Sequence, residues 1–324
     1  MAKIVICIHG LGNKPPRDLL TKWWRESLQE GFKRIGESEL LFKMEMVYWA
    51  DILHPQPLDP SVSDKKSPLH ITEHYMPAEF YVRKEPNKFR KKMLDYVEKQ
   101  LDKLFLSESS SFDLTSISDL IIHKYFTDLE TYYSSDCMSR LNDKCLARDM
   151  IRERLVDVLK KHKGKEILLI AHSMGAIISY DVLINPANNI KIDTLITIGS
   201  PLGIPIIMKK VAKEMGFDLN KGSNLKTPES ITCEWLNFSD LHDKVAINYN
   251  LNDDYDPNSK GIAPEDFIVH NDYKVGEEEN PHKSYGYLRT PELAEVVYEF
   301  LTRDKSKLYI WFNKKAASIL ERFY

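Results

Sequence analysis

The chain has 324 residues, 43% of them hydrophobic, and a formal net charge of -3, which allows a substantial core in one large domain or two modest ones. With that charge balance and no basic stripe interleaved with aromatics, nothing points to nucleic acid as a partner. Four scattered cysteines (Cys7, Cys137, Cys145, Cys233) form neither a disulfide framework nor a zinc site, the opening MAKIVICIHG has one basic residue and too short an apolar run for a signal peptide, and no apolar run approaches a membrane span, so a cytoplasmic protein without metal is expected.

Residues Lys3 to Ile8 form a β-branched run without alternation, the pattern of a strand buried on both faces. It ends in the turn-rich His9-Gly10-Leu11-Gly12-Asn13. A helix is predicted from about Arg17 to Ile35, with Leu19, Leu20, Trp23, Trp24, Leu28 and Phe32 on its apolar face, and a second strand over Leu41 to Trp49. From about His54 to Asp143 the composition shifts. Prolines cluster at Pro55, Pro57, Pro60, Pro68 and Pro77, serines at Ser107 to Ser111, and Phe89, Met93, Val97, Leu101 and Leu104 recur at helical spacing. We read 54–143 as a largely helical cap or lid inserted in a single domain over 1–324, because the strand–helix alternation resumes after it.

A helix over Ala147 to His162 is followed by a strand over Glu166 to Ala171 and a helix over Gly175 to Ile184. Further strands are predicted at Asp193 to Ile198 and Ile231 to Phe238, an edge strand at Phe267 to Val275, and a helix at Pro291 to Leu301. About six strands separated by helices argue for an α/β fold with a mostly parallel sheet. The tail 305–324, KLYIWFNKKAASILERFY without its first residues, mixes aromatic and lysine residues; we read it as a final helix packed on the domain or on a second subunit, with peripheral contact to a membrane surface as the alternative.

In a parallel sheet the functional residues gather where strands end and loops open a crevice. The stretch Ala171-His172-Ser173-Met174-Gly175 lies at such an end, between a buried-strand pattern and a helix pattern. A serine in that tight turn projects its hydroxyl from the sheet edge, and the following helix offers free N–H groups and its positive end to a developing oxyanion. Small residues are needed two before and two after, which Ala171 and Gly175 supply. The bland alternative is a serine capping the helix. After the first strand, Gly10 and Gly12 let the chain fold back so that the Leu11 N–H points into the crevice, while His9 holds the loop. No P-loop or G-x-G-x-x-G follows that strand, so a phosphate cradle is a weak competitor.

Together, IHGLGN after the first strand, AHSMG, ITIGSP and WLNFSDLHDKVA resemble the α/β-hydrolase superfamily, and within it the lipase and serine-esterase branch that includes GPI inositol-deacylase-like proteins. The resemblance covers about residues 3–50 and 147–301. It implies an α/β-hydrolase fold and a triad in the order Ser, acid, His, with Ser173 as nucleophile. The acid follows the strand ending near Phe238, where Asp240 and Asp243 both stand. The family's placement of the acid before a short apolar pair favours Asp243, as in Asp243-Lys244-Val245-Ala246, with Asp240 in reserve. The family carries its base in the loop before the last helix, which favours His282 over His270; His172 is read as a neighbour of the serine that lines the pocket. The N–H groups of Leu11 and Met174 would form the oxyanion hole, and no cofactor is required. The implied activity is cleavage of a small-molecule or lipid carboxylic ester. An acyltransferase with the same triad and a non-catalytic binding protein of this fold are the alternatives.

Overall fold

Six parallel strands form the central sheet of the computed structural model, in the order β2-β1-β3-β4-β6-β8. Residues 1–78, 143–216, 223–246 and 248–304 are described, with isolated positions (88, 90–92, 94, 95, 132 and 219) besides. The strands of the sheet are β1 (Lys3–Ile8), β2 (Met44–Val47), β3 (Glu166–His172), β4 (Ile192–Ile198), β6 (Ile231–Ser239) and β8 (Pro264–Ile268). Two short ladders accompany it: β5 (Leu225–Lys226) with β7 (Tyr255–Asp256), and β9 (Lys274–Val275) with β10 (Glu278–Glu279). The helices are α1 (Arg17–Arg34), α2 (Ala50–Leu53), α3 (Asp143–Lys161), α4 (Met174–Ile184), α5 (Pro205–Glu214), α6 (Ser284–Leu288) and α7 (Pro291–Thr302).

The β-branched runs follow from burial on both faces. Along β1, Ile4, Ile6 and Ile8 enter one apolar layer with Leu155 of α3 and Ile177 of α4, while Val5 and Cys7 enter the other with Trp24 and Leu28 of α1 and Val297 of α7. Successive side chains of a strand point to opposite faces, so a strand between two helical layers needs apolar residues at every position. Helix α4 is buried nearly all round, from Met174 to Leu183 apart from Asp181, which is why it shows no polar face.

The chain leaves β1 toward β2 on one side, then returns to place β3 on the other. The loops after β1 and β3 therefore diverge and open a crevice between them, the switch point at which parallel sheets bind ligands.

Several boundaries depart from the sequence pattern. The second strand shrinks to Met44–Val47, because Leu40 exchanges both backbone groups with the Gln29 side chain and Trp49 turns toward His9. The edge strand expected over Phe267 to Val275 starts earlier, at Pro264, and ends at Ile268. Beyond it, Asp240 accepts the Asn271 N–H and Asn271 accepts the Tyr273 N–H, so side chains take the hydrogen bonds that would have continued the ladder. Helix α5 was not expected; Pro205 stands at its first turn, and Ile207, Met208, Val211 and Ala212 are its buried face. The predicted helix over 88–105, apart from isolated positions, and the tail 305–324 lie outside the described residues. Among the described residues no helix is long and apolar enough to cross a membrane.

One buried charge network sets the frame of the site. Arg289, 2% exposed just after α6, donates from Nε to Asp272 at 2.7 Å and from Nη1 to the Met76 carbonyl at 2.6 Å. Arg34 of α1 donates to Asp272 and Glu30, each at 2.8 Å, and Glu30 accepts from Tyr75 and from the Ala78 N–H. The network ties α1, the link between β8 and β9, the end of α6 and residues 75–78 together. Removing one member strands buried carboxylates without a counter-charge. Arg289→Ala should therefore cost about 3–5 kcal/mol in urea unfolding; a loss no larger than that of an exposed arginine would assign the frame to packing alone.

Candidate active site

Ser173 follows β3 directly and has φ 55° and ψ -123°. Left-handed backbone at a residue other than glycine costs roughly 1–3 kcal/mol and has to be held from outside. The Ser173 N–H donates to the Ile198 carbonyl at the end of β4 at 3.1 Å. On the other side Gly175 lies against β1; a Cβ there would come within 2.7 Å of the Ile8 carbonyl oxygen and 3.0 Å of that of His9. The Ser173 side chain makes no capping bond to α4. Its Oγ lies 3.0 Å from His282 Nε2.

His282 sits between β10 and α6. Its backbone N–H donates to Asn280 Oδ1 at 3.0 Å, and its carbonyl accepts from His172 Nε2 at 2.8 Å. Its Nδ1 is 2.9 and 3.0 Å from the two carboxylate oxygens of Asp243. The Asp243 side chain is fully buried and its Oδ1 accepts the Val245 N–H at 2.8 Å. Ser173, His282 and Asp243 thus form one continuous hydrogen-bonded line. Its members come from three separate stretches of sequence: Ser173 follows β3, Asp243 follows β6 and His282 follows β10.

Asp240 faces elsewhere. Its carboxylate accepts the Asn271 N–H at 2.6 Å and the His242 N–H at 2.7 Å, with His270 Nδ1 at 3.5 Å. Burial pushes this carboxyl up, but hydrogen bonds from His270, His242 and Asn271 outweigh it and hold the group below its ordinary range. Asp240 thereby fastens the chain leaving β8, and His270 turns to it rather than to Ser173.

The loop after β1 is fixed by His9, which is buried and stacked on Trp49 at 4.8 Å. His9 Nε2 accepts the Trp49 N–H at 3.0 Å, so Nδ1 carries the proton and donates to the Gly10 carbonyl at 2.8 Å. Because the Gly10–Leu11 peptide is planar and trans, the Leu11 N–H points away from His9. Lys14 closes the loop by donating to the Gly12 carbonyl at 3.0 Å and to that of Leu11. Among the described residues neither the Leu11 nor the Met174 N–H meets a protein acceptor. Burial lowers the pKa of His9, and the charge of Lys14 lowers it further. His172 is likewise pushed well below the ordinary value by burial and by His282 beside it.

A cavity of about 490 Å³ opens over Ser173 and His282, walled by Leu11, Val245, Tyr285, Pro68 and residues 70–73. Glu73 fastens that wall to the histidine loop by accepting from Lys283 Nζ at 2.8 Å and from Asn280. A second cavity of about 710 Å³, with Leu53, Pro55 and Leu69 in its lining, shares Leu11, Gly12 and Asn13 with the first. No cluster of three or more metal-ligating side chains occurs among the described residues.

Sequence reasoning singled out neither Gly199 nor Tyr287, which close the far side of Asp243. A Cβ at Gly199 would lie 2.8 Å from Asp243 Oδ2 and 3.1 Å from His282 Nδ1. The segment ITIGSP held that signal, since a glycine ending a buried strand often marks close approach of another group. For Glu73, Trp49 and Tyr287 no local sequence signal exists.

Residues 113–230 match the family model of the PGAP1-like alpha/beta domain, an α/β-hydrolase-like lipase family related to GPI inositol deacylase. The sheet and its flanking helices agree with an α/β-hydrolase fold, and the match supports a lipase- or esterase-like hydrolase at the level of the family. The matched stretch starts upstream of α3, inside the part read from sequence as an insertion. It includes β3, Ser173, α4 and β4 and stops before β6, so Asp243 and His282 lie outside it. No curated protein matches the chain.

Histidines kept neutral in the folded state give stability that is complete above the unfolded pKa near 6.5 and is lost as pH falls below it. His9→Gln should lower the thermal midpoint at pH 7, reflecting a stability loss of about 1–3 kcal/mol for the disturbed buried hydrogen bonds. It should also make the midpoint fall less steeply than in the wild type between pH 7 and 5. Equal slopes for the two proteins would show that His9 is not held neutral.

Proposed function

We propose that this chain is a serine hydrolase that cleaves carboxylic esters of small molecules or lipids, with Ser173, His282 and Asp243 as its triad. The observation that carries the reading is the hydrogen-bonded line from Ser173 Oγ through His282 to buried Asp243, with the serine on a left-handed turn at the head of a helix.

In this reaction His282 Nε2 takes the hydroxyl proton as Ser173 Oγ bonds to the acyl carbon. The carbonyl π pair moves to oxygen, and the resulting oxyanion is met by the N–H groups of Leu11 and Met174, strengthened by the positive end of α4. Asp243 holds the Nδ1–H tautomer and stabilises the imidazolium. The tetrahedral adduct collapses, and His282 gives its proton to the departing alcohol. Water then attacks the acyl-enzyme through the same histidine and releases the acid, restoring Ser173. Water and the triad suffice, and no cofactor enters the steps. A cap role for the 54–143 stretch fits the cavity lining, since Pro68 and residues 70–73 wall the cavity that holds Ser173.

Intact-mass labelling with a fluorophosphonate, together with hydrolysis of an activated aryl ester, tests this. The wild type should take up one label, and Ser173→Ala none. His282→Ala should lose on the order of 10³-fold or more in rate, and Asp243→Asn on the order of 10⁴-fold, because the asparagine selects the wrong tautomer. Asp240→Asn should lose far less. Unlabelled wild type, or a Ser173→Ala protein that still labels stoichiometrically, would refute the assignment.

A further inference from the structure

The Tyr287 side chain lies in the core below the triad and outside the lining of the cavity. Its hydroxyl oxygen accepts the Asp240 N–H at 2.9 Å, and among the described residues the hydroxyl proton has one acceptor, Asp243 Oδ2, at 2.8 Å. Oδ2 is also the carboxylate oxygen nearest His282 Nδ1. Oδ1 is engaged by the Val245 N–H, and more weakly by the Ala246 N–H at 3.4 Å. With Gly199 packed against Oδ2, the carboxylate has a single setting, and Tyr287 supplies the donor that defines it on the histidine side.

We infer that Tyr287 is a positioning residue of the proposed esterase, donating to Asp243 so that the carboxylate faces His282 with its negative charge partly satisfied. The inference rests on the triad reading above. Burial, then the charges of Asp243 and Asp240, push the phenol well above its ordinary pKa, so the donor keeps its proton at every pH where an esterase would be assayed. The other titratable groups facing this assembly are Asp240 with His242 and His270 on its carboxylate, and His172 and Lys283 beside His282.

The sign of the effect follows from electrostatics. A carboxylate that loses a hydrogen-bond donor holds its charge more strongly toward the imidazole and favours the imidazolium. Tyr287→Phe keeps the ring and removes only the donor. It should lower kcat/KM at the plateau roughly tenfold, the ordinary scale for a hydrogen bond to a charged group, with KM little changed. The acid limb of the pH profile should move up by about half a unit or more. In the Asp243→Asn background the same change should add almost nothing, because the effect runs through Asp243.

The experiment measures aryl-ester hydrolysis from pH 5.5 to 9 for the four proteins of that cycle. It also follows the His282 imidazole by NMR titration in wild type and Tyr287→Phe, and records thermal midpoints to separate folding from function. An upward shift of the His282 titration supports the inference. An unmoved or lowered titration, or an equal loss of rate with and without Asp243, would overturn it. An inactive wild type would refute the esterase reading alone, since the titration still decides the role of Tyr287.

Discussion

The turn from β3 into α4 keeps a serine at φ 55°, a region that opposes an L-residue by sterics, and its neighbours are arranged to hold it there. The end of β4 takes the serine N–H, and Gly175 lets α4 press against the carbonyls of β1. Both contacts depend on β3 lying between β1 and β4. The parallel sheet order is therefore what makes the turn stable, and the turn in turn aims Oγ at the crevice between the diverging loops.

Two further assemblies converge on that hydroxyl. On one side His9 and Trp49 lock the β1 loop, with each imidazole nitrogen committed to one role. On the other, the His282 loop is anchored by Asn280, Glu73 and His172, and beneath it by the buried network around Arg289. A site assembled from loops is exact only when the loops are fixed by side chains that do not themselves react. Here that task falls to polar, charged and aromatic side chains in and beneath the cavity wall, two of them, Glu73 and Tyr75, from a stretch that sequence composition marks as irregular.

Much of the architecture was legible along the chain. The β-branched runs of β1, β3 and β4 mark strands buried on both faces, and the switch from that pattern to a helical one at Ser173 marks the turn. Where the pattern misled, a competing hydrogen bond explains it. Alternation through residues 269–275 looks like continued strand, yet Asp240 and Asn271 take the backbone N–H groups and bend the chain away. Tyr287 and Glu73 were not legible as parts of the site, because each matters through contact with a residue more than forty positions distant.

The residues alone determined a doubly covered parallel sheet and a serine at a tight strand–helix turn, since both are short-range consequences of side-chain shape and period. Taken without the family resemblance that favours Asp243, they leave Asp240 and Asp243 side by side, since the two share one loop, one chemistry and similar burial. Their surroundings differ only in three dimensions. The backbone and histidine arriving after β8 occupy Asp240, while the loop carrying His282, the Tyr287 hydroxyl and the bare backbone of Gly199 meet at Asp243. A carboxylate's partner depends on which long-range segments reach it, and the packing of the sheet sets that.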